Sequence, residues 1–226
     1  MANTVKPFQF RQCINIPKST GYKANSLKQL RDLINLVSDE SIYHHTYQYF
    51  LKGNLLEYTS DFAQWVGESL EDRALSEQLS NIDPYEYGNI SALRKVLINV
   101  IDSYLKNFPE PRDALPGSEF YFLDTSAIIF NSGVAARNLA EFLIAIQHVD
   151  PASIYFHFFE ARSRLGQSVD DFSKWVEEVL GKDDLAEKIR AIDLFMHNID
   201  GIREHLEELI TEEVKKDMDS IGQAEQ

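Results

Sequence analysis

The chain has 226 residues, 44% of them apolar and 12% aromatic, and a formal charge of −14 at neutral pH. That is ample material for a packed core in one or two domains. The acidic excess, with no Lys/Arg cluster to offset it, excludes nucleic acid and anionic lipid as expected partners, since both present phosphate fields that repel it. A lone cysteine, Cys13, and a start without a charged-then-apolar leader predict a reducing cytoplasm, and no apolar run approaches the ~20 residues that span a bilayer.

In chain order, FQFRQCINI from Phe8 alternates apolar and polar residues with a period of two, which predicts a short strand or extended segment. KANSLKQLRDLINLV follows, with Leu27, Leu30 and Ile34 at helical spacing. SDESIYHHTYQYF starts a second helix, and SDFAQWVGESL starts a third behind Ser60, a good N-cap residue. LSEQLSNI predicts a shorter helix, and a long one begins at Asn89. NFPEPRDALPG, from Asn107 to Gly117, carries three prolines and a glycine and reads as a connector.

The same order of elements then recurs. FYFLDTSAIIF is extended or helical; AARNLAEFLIAIQHV places Leu139, Phe142 and Ile146 on one helical face. Asp150-Pro151 opens the SIYFH helix, Asp170 caps DDFSKWVEEVLG with Gly181 closing it, LAEKIRAI follows, and Asn198 opens the last helix. From about Glu212 the acidic end reads as a solvated helix and a frayed tail.

The recurrence holds residue by residue. SIYHH at Ser41 and SIYFH at Ser153 lie in one register with Phe8/Phe120, Phe10/Phe122, Gly21/Gly133 and Leu27/Leu139. After a two-residue shortening, Asp61, Phe62, Trp65, Val66 and Glu68 meet Asp171, Phe172, Trp175, Val176 and Glu178. Between Ser60 and Pro84 ten of 25 positions are identical to their counterparts, where average residue usage gives roughly one or two by chance. Asn89, Ile90, Arg94, Leu97 and Ile101 likewise meet Asn198, Ile199, Arg203, Leu206 and Ile210.

The expected architecture is therefore mainly α: an internally duplicated helical bundle, about five helices per repeat, each repeat preceded by a short extended, strand-like FxF segment. Residues 1–106 form the first repeat, 107–117 the connector, 118–218 the second repeat and 219–226 an acidic tail. With its paired FxF, SIYxH, SDFAQW or DDFSKW and ID segments, the chain resembles an uncharacterised prokaryotic family of tandemly duplicated helical proteins, catalogued only as a domain of unknown function. The resemblance implies a cytosolic bacterial or archaeal source and the tandem architecture, and it brings no reaction, cofactor or site residues.

Candidate functional residues are those preserved in both halves. His45 and His157 can ligate metal, shuttle protons or orient a carboxylate, or pack with a ring nitrogen satisfying a neighbour. Asp61 and Asp171, each in a helix's first turn, favour the helix dipole in any case; the sharper expectation is that each holds its own histidine in one tautomer. Tyr43, Tyr155, Trp65 and Trp175 either line a ligand pocket or belong to the core. Arg94 and Arg203 are expected to supply partners to Asp83 and Asp193. Arg162, present in the second half alone, suits an acidic group.

His157 and Glu160 share a helical face, with His44 adding an imidazole in the first half, but the counterpart of Glu160 is Gln48, so a symmetric two-carboxylate metal site is broken by the sequence itself. Cys13 faces Thr125 in the alignment and has no second cysteine. No metal or cofactor is expected, and no phosphate-loop, nucleophile-elbow or zincin motif is present. The favoured expectation is a non-enzymatic cytosolic interaction or adaptor protein with two related surfaces for a protein partner or a second copy. The alternative is a small-molecule-binding protein or enzyme with a pseudo-symmetric cleft lined by His45, His157 and aromatics.

Overall fold

A computed structural model of the chain describes residues 6–48, 58–162, 169–193 and 197–224. The elements run β1 (Phe8–Ala24), α1 (Leu27–Leu36), α2 (Asp39–His45), α3 (Asp61–Glu68), α4 (Arg73–Ser80), a 3₁₀ turn (Pro84–Glu86), α5 (Ile90–Asn107) and β2 (Phe120–Ala136). Then come α6 (Leu139–His148), α7 (Pro151–Ile154), a π-helical turn (Tyr155–Glu160), α8 (Asp171–Leu180), α9 (Asp183–Arg190) and α10 (Ile199–Ala224).

The expected mainly-α bundle with short FxF lead-ins is thereby corrected. The FxF segments open strands of 17 residues each, and the two strands pair with one another in a two-stranded sheet. Thr20 Oγ1 donates to the Phe122 carbonyl at 2.7 Å and Ser132 Oγ to the Phe10 carbonyl at 2.7 Å, so the strands run antiparallel. The physical reason is backbone satisfaction: an isolated extended segment would leave its amides without partners, and the other FxF strand supplies them.

The chain divides into two compact units, a continuous one of Asn15–Ala127 and a split one of Met1–Ile14 with Ile128–Gln226. The division falls within both strands. Phe8 and Phe10 therefore serve the unit built from α6 to α10, whereas Phe120 and Phe122 serve the unit built from α1 to α5. Neither FxF segment packs in the unit of the helices that follow it.

In the continuous unit, α1 packs on α5, α3 on α4 and α2 on α5. Leu27, Leu30 and Ile34 of α1 and Leu93, Leu97 and Ile101 of α5 form buried stripes at helical spacing. Phe62, Val66, Leu75, Leu79, Phe120 and Phe122 complete that core. Side chains of this size, taken fully out of water, each contribute about 1.5–3 kcal/mol. Ser26, Ser60 and Asn89 cap α1, α3 and α5 by accepting the amides of Gln29, Ala63 and Ala92, as their residue types predict.

In the split unit, α6 packs on α10, α8 on α9 and α9 on α10. Leu139, Phe142, Ile146, Phe172, Val176, Ile202, Leu206 and Ile210 are buried with Phe8 and Phe10. Asp170 caps α8 through the amide of Ser173, and Gly181 ends the helix in the left-handed region at φ 65°. At the matched position after α3 stands Glu71, whose φ of 54° makes it the positive-φ non-glycine residue of the described chain.

Candidate functional site

The SIYxH motif is a clamp on the strands. In α2, Ser41 and His45 lie four residues apart and so on one helical face. Ser41 Oγ donates to the carbonyl of Leu123 at 2.9 Å, and the amide of Leu123 donates to His45 Nε2 at 2.9 Å. One residue of β2 thus has both backbone groups held by a single helix. Since Nε2 is the acceptor, the imidazole proton resides on Nδ1, which donates to Asp61 Oδ2 at 2.7 Å.

The split unit makes the same set of contacts with the matched residues. Ser153 Oγ donates to the Arg11 carbonyl at 2.7 Å, the Arg11 amide donates to His157 Nε2 at 2.8 Å, and His157 Nδ1 lies 2.9 Å from Asp171 Oδ2. Here the helix passes into π geometry from Tyr155 to Glu160, every residue of which is buried. Both histidines are buried, at 2% and 4% exposure. Each ring is enclosed by the aromatic residues it organises: His45 is 4.8 Å from Phe120 and 5.5 Å from Phe62, and His157 is 4.7 Å from Phe8 and 5.5 Å from Phe172.

The tryptophans belong to the same clamp. Trp65 Nε1 donates to the carbonyl of Ser118 at 2.7 Å and Trp175 Nε1 to that of Lys6 at 3.0 Å, each just ahead of an FxF pair. Tyr43 stacks on Tyr47, with ring centroids 5.1 Å apart, and buried Tyr155 on Phe159 at 5.7 Å. Burial, with the Asp83 carboxylate nearby, pushes the Tyr47 phenol up to about 12; its hydroxyl donates to the Pro84 carbonyl at 2.7 Å.

Arg162 meets an acidic group within the chain. Its guanidinium donates to Asp170 at 3.2 Å and the Arg190 carbonyl at 3.3 Å, and lies 4.6 Å from the centroid of Phe158. Burial pushes the Asp170 carboxyl up, against the opposing pull of Arg162 and of the hydrogen bonds from Ser173. Arg94 and Arg203 go elsewhere than the expected aspartates: Arg94 donates to the Ile34 carbonyl and to Asp39, and Arg203 to the carbonyls of Ile146 and Val149 at 2.7 and 2.9 Å. Both satisfy carbonyls near the end of the unit's first helix, a standing need of helix C-termini.

His44, His45 and Asp61 bring three potential metal-ligand atoms within 4.8 Å of one another. The tautomer decides against an ion at His45. Coordination through Nδ1 would require the lone pair there and the proton on Nε2, which faces the Leu123 amide; that contact and the metal exclude each other. His44 Nδ1 lies 2.9 Å from Gln48 Oε1, and Glu160 accepts from Cys13 Sγ at 3.0 Å in the buried interior of the split unit.

The structure therefore brings His45 with Asp61 and His157 with Asp171, as expected, and places Trp65 and Trp175 beside the strands those pairs hold. Sequence reasoning missed Ser41 and Ser153 as partners in the clamp; their signal is their own recurrence, four residues ahead of each histidine. It also missed a pocket in the split unit, about 400 Å³, against His157, Asp171 and Trp175, to which Lys6, Arg11 and Lys174 contribute.

The fold and clamp define an α plus β protein in which antiparallel strands are locked by Ser/His pairs. The chain belongs to the Family of unknown function (DUF5752), whose profile matches residues 5–211. It is similar to the solved structure of OrfY from Thermoproteus tenax, with 31% identity, a TM-score of 0.77, and coverage of 91% of this chain and 94% of that one. A search of curated proteins gives no match. No helix of the described residues is long and apolar enough to cross a membrane.

Proposed function

We propose that this chain is a non-enzymatic interaction protein of a prokaryotic cytoplasm, a scaffold that offers related surfaces to a protein partner or a second copy. The observation that carries this reading is the exposed apolar character of the paired strands. In the split unit Ile14, Ile128, Ile129 and Phe130 are 54, 53, 45 and 38% exposed, and in the continuous unit Ile16, Tyr22 and Tyr121 are 46, 45 and 55% exposed. Away from Arg11 and Leu123, whose backbone groups the helices hold, a two-stranded sheet also leaves each strand one edge without a strand neighbour among the described residues, a template for a further strand. The catalytic alternative finds no such support: the ring nitrogens of His45 and His157 that a site would use are engaged in holding Leu123 and Arg11.

The test is a photo-crosslinking amino acid placed at Phe130 and, as a control, at Leu36, which is 63% exposed but lies on α1. A specific protein adduct from position 130 and none from position 36 supports the reading, and its mass separates self-association from a different partner. No adduct at position 130 overturns it.

A further inference from the structure

We propose that the pocket of the split unit binds a small organic carboxylate, with its apolar body against the aromatic floor and its charge on Lys6, Arg11 and Lys174. The pocket lies wholly within that unit, has a volume of about 400 Å³, and includes Phe8, Phe156 and Trp175 among its walls. A cavity of this size, walled by aromatic rings on one side and by polar and charged side chains on the other, suits a small amphipathic ligand.

The electrostatics select an anion. Two acids share the pocket, Asp171 and Glu178. Asp171 accepts from His157 Nδ1 at 2.9 Å and keeps its charge beside the neutral imidazole, and Glu178 faces Lys174 at 4.0 Å, so the three cations Lys6, Arg11 and Lys174 exceed the two acids by one. The side chains of Lys6 and Arg11 make no ion pair or hydrogen bond among the described residues, although the chain carries 36 acids against 22 lysines and arginines. By contrast, the pocket beside Gly67 in the continuous unit has its Arg73 paired with Glu77 at 2.9 Å.

The other half of the chain serves as an internal control. Around His45 and Asp61, the positions matching Lys6, Arg11 and Lys174 are Ser118, Leu123 and Gln64. The histidine, aspartate and tryptophan are common to both units, so the clamp needs none of these cations. Arg11 meets the clamp through its backbone alone, leaving its guanidinium available. Three cations added on one side to a framework that works without them mark a binding role.

The experiment uses phenylacetate as the probe and the two indole N–H signals as reporters, assigned with a Trp65→Phe variant. Phenylacetate is expected to shift the Trp175 signal saturably and leave that of Trp65 unmoved. The uncharged isostere phenylacetamide, and the variant Lys6→Ser/Arg11→Leu/Lys174→Gln, are each expected to weaken binding about tenfold, in keeping with modest contributions from partly solvated charges. The triple variant copies residues that the continuous unit tolerates, and its melting temperature checks the fold; Lys174→Gln alone serves if it does not fold. No saturable shift, equal shifts at both tryptophans, phenylacetamide binding as well as phenylacetate, or undiminished binding by the folded variant would each overturn the proposal.

Discussion

His157 Nε2 accepts the backbone amide of Arg11 at 2.8 Å, 146 residues away in sequence, and in doing so fixes where its own proton must be. With Nδ1 turned to Asp171 and Ser153 holding the Arg11 carbonyl, imidazole and hydroxyl replace the hydrogen bonds that a neighbouring strand would make at that residue. The first prediction concerns stability. His45→Ala and His157→Ala each leave a part-buried amide without its acceptor and open space among aromatic rings, so each should cost about 2–4 kcal/mol. Ser41→Ala and Ser153→Ala should cost about 1 kcal/mol each. Denaturant unfolding of the four variants measures this; a histidine variant as stable as wild type would show that the clamp is dispensable.

A second prediction follows from the proton's position. Both imidazoles should be neutral and carry their hydrogen on Nδ1, the less common location for a solvated histidine. Nitrogen-15 spectra of histidine-labelled protein distinguish the tautomers directly. An Nε2–H form at His45 would mean that the Leu123 amide is not its donor, and would reopen the possibility of a metal among His44, His45 and Asp61.

Much of the fold and of the clamp is legible in the sequence. Apolar spacing locates the helices, Ser60, Asn89 and Asp170 announce their starts, and recurrence singles out His45, Asp61 and Trp65 with their counterparts. The destination of the FxF segments is not written there. Phe8 precedes Leu27 in the chain yet packs 5.5 Å from Phe142, a contact that leaves no local signal because strand pairing is decided by distant residues. Arg94 misleads for a related reason: its partners, the Ile34 carbonyl at the end of α1 and the Asp39 carboxylate, are 60 and 55 residues away in sequence. Lys6, Arg11 and Lys174 carry no such signal, because recurrence marks what the halves share and these residues differ between them.

A third prediction is alkaline. Burial raises the Tyr47 phenol to about 12, so the folded state keeps a proton that the unfolded chain gives up near 10. The associated stability is fully present below pH 10 and is lost as pH rises toward 12, by about 2–3 kcal/mol at about 1.4 kcal/mol per pH unit. Tyr47→Phe loses the bond to the Pro84 carbonyl at neutral pH, but its unfolding free energy should fall less steeply between pH 10 and 12. Parallel curves for wild type and variant would reject this role for Tyr47.

The last prediction turns the difference between the two units into an experiment on backbone strain. Gly181 and Glu71 occupy matched positions after α8 and α3, with φ of 65° and 54°. Glycine takes this conformation freely, whereas a side chain there costs about 1–2 kcal/mol. Glycine also loses more freedom on folding, about 0.5–1 kcal/mol, which offsets part of the gain. Glu71 contributes an ion pair to Arg112, but both side chains are substantially exposed, at 65 and 42%, and such pairs add little. Glu71→Gly should therefore stabilise the protein by about 0.5–1 kcal/mol, and Gly181→Ala should destabilise it by a similar amount or more. Thermal unfolding of the two variants provides the comparison. If Glu71→Gly lowers stability, the ion pair or an interaction of the glutamate outweighs the strain, and the left-handed residue after α3 is held in place by its side chain rather than tolerated in spite of it.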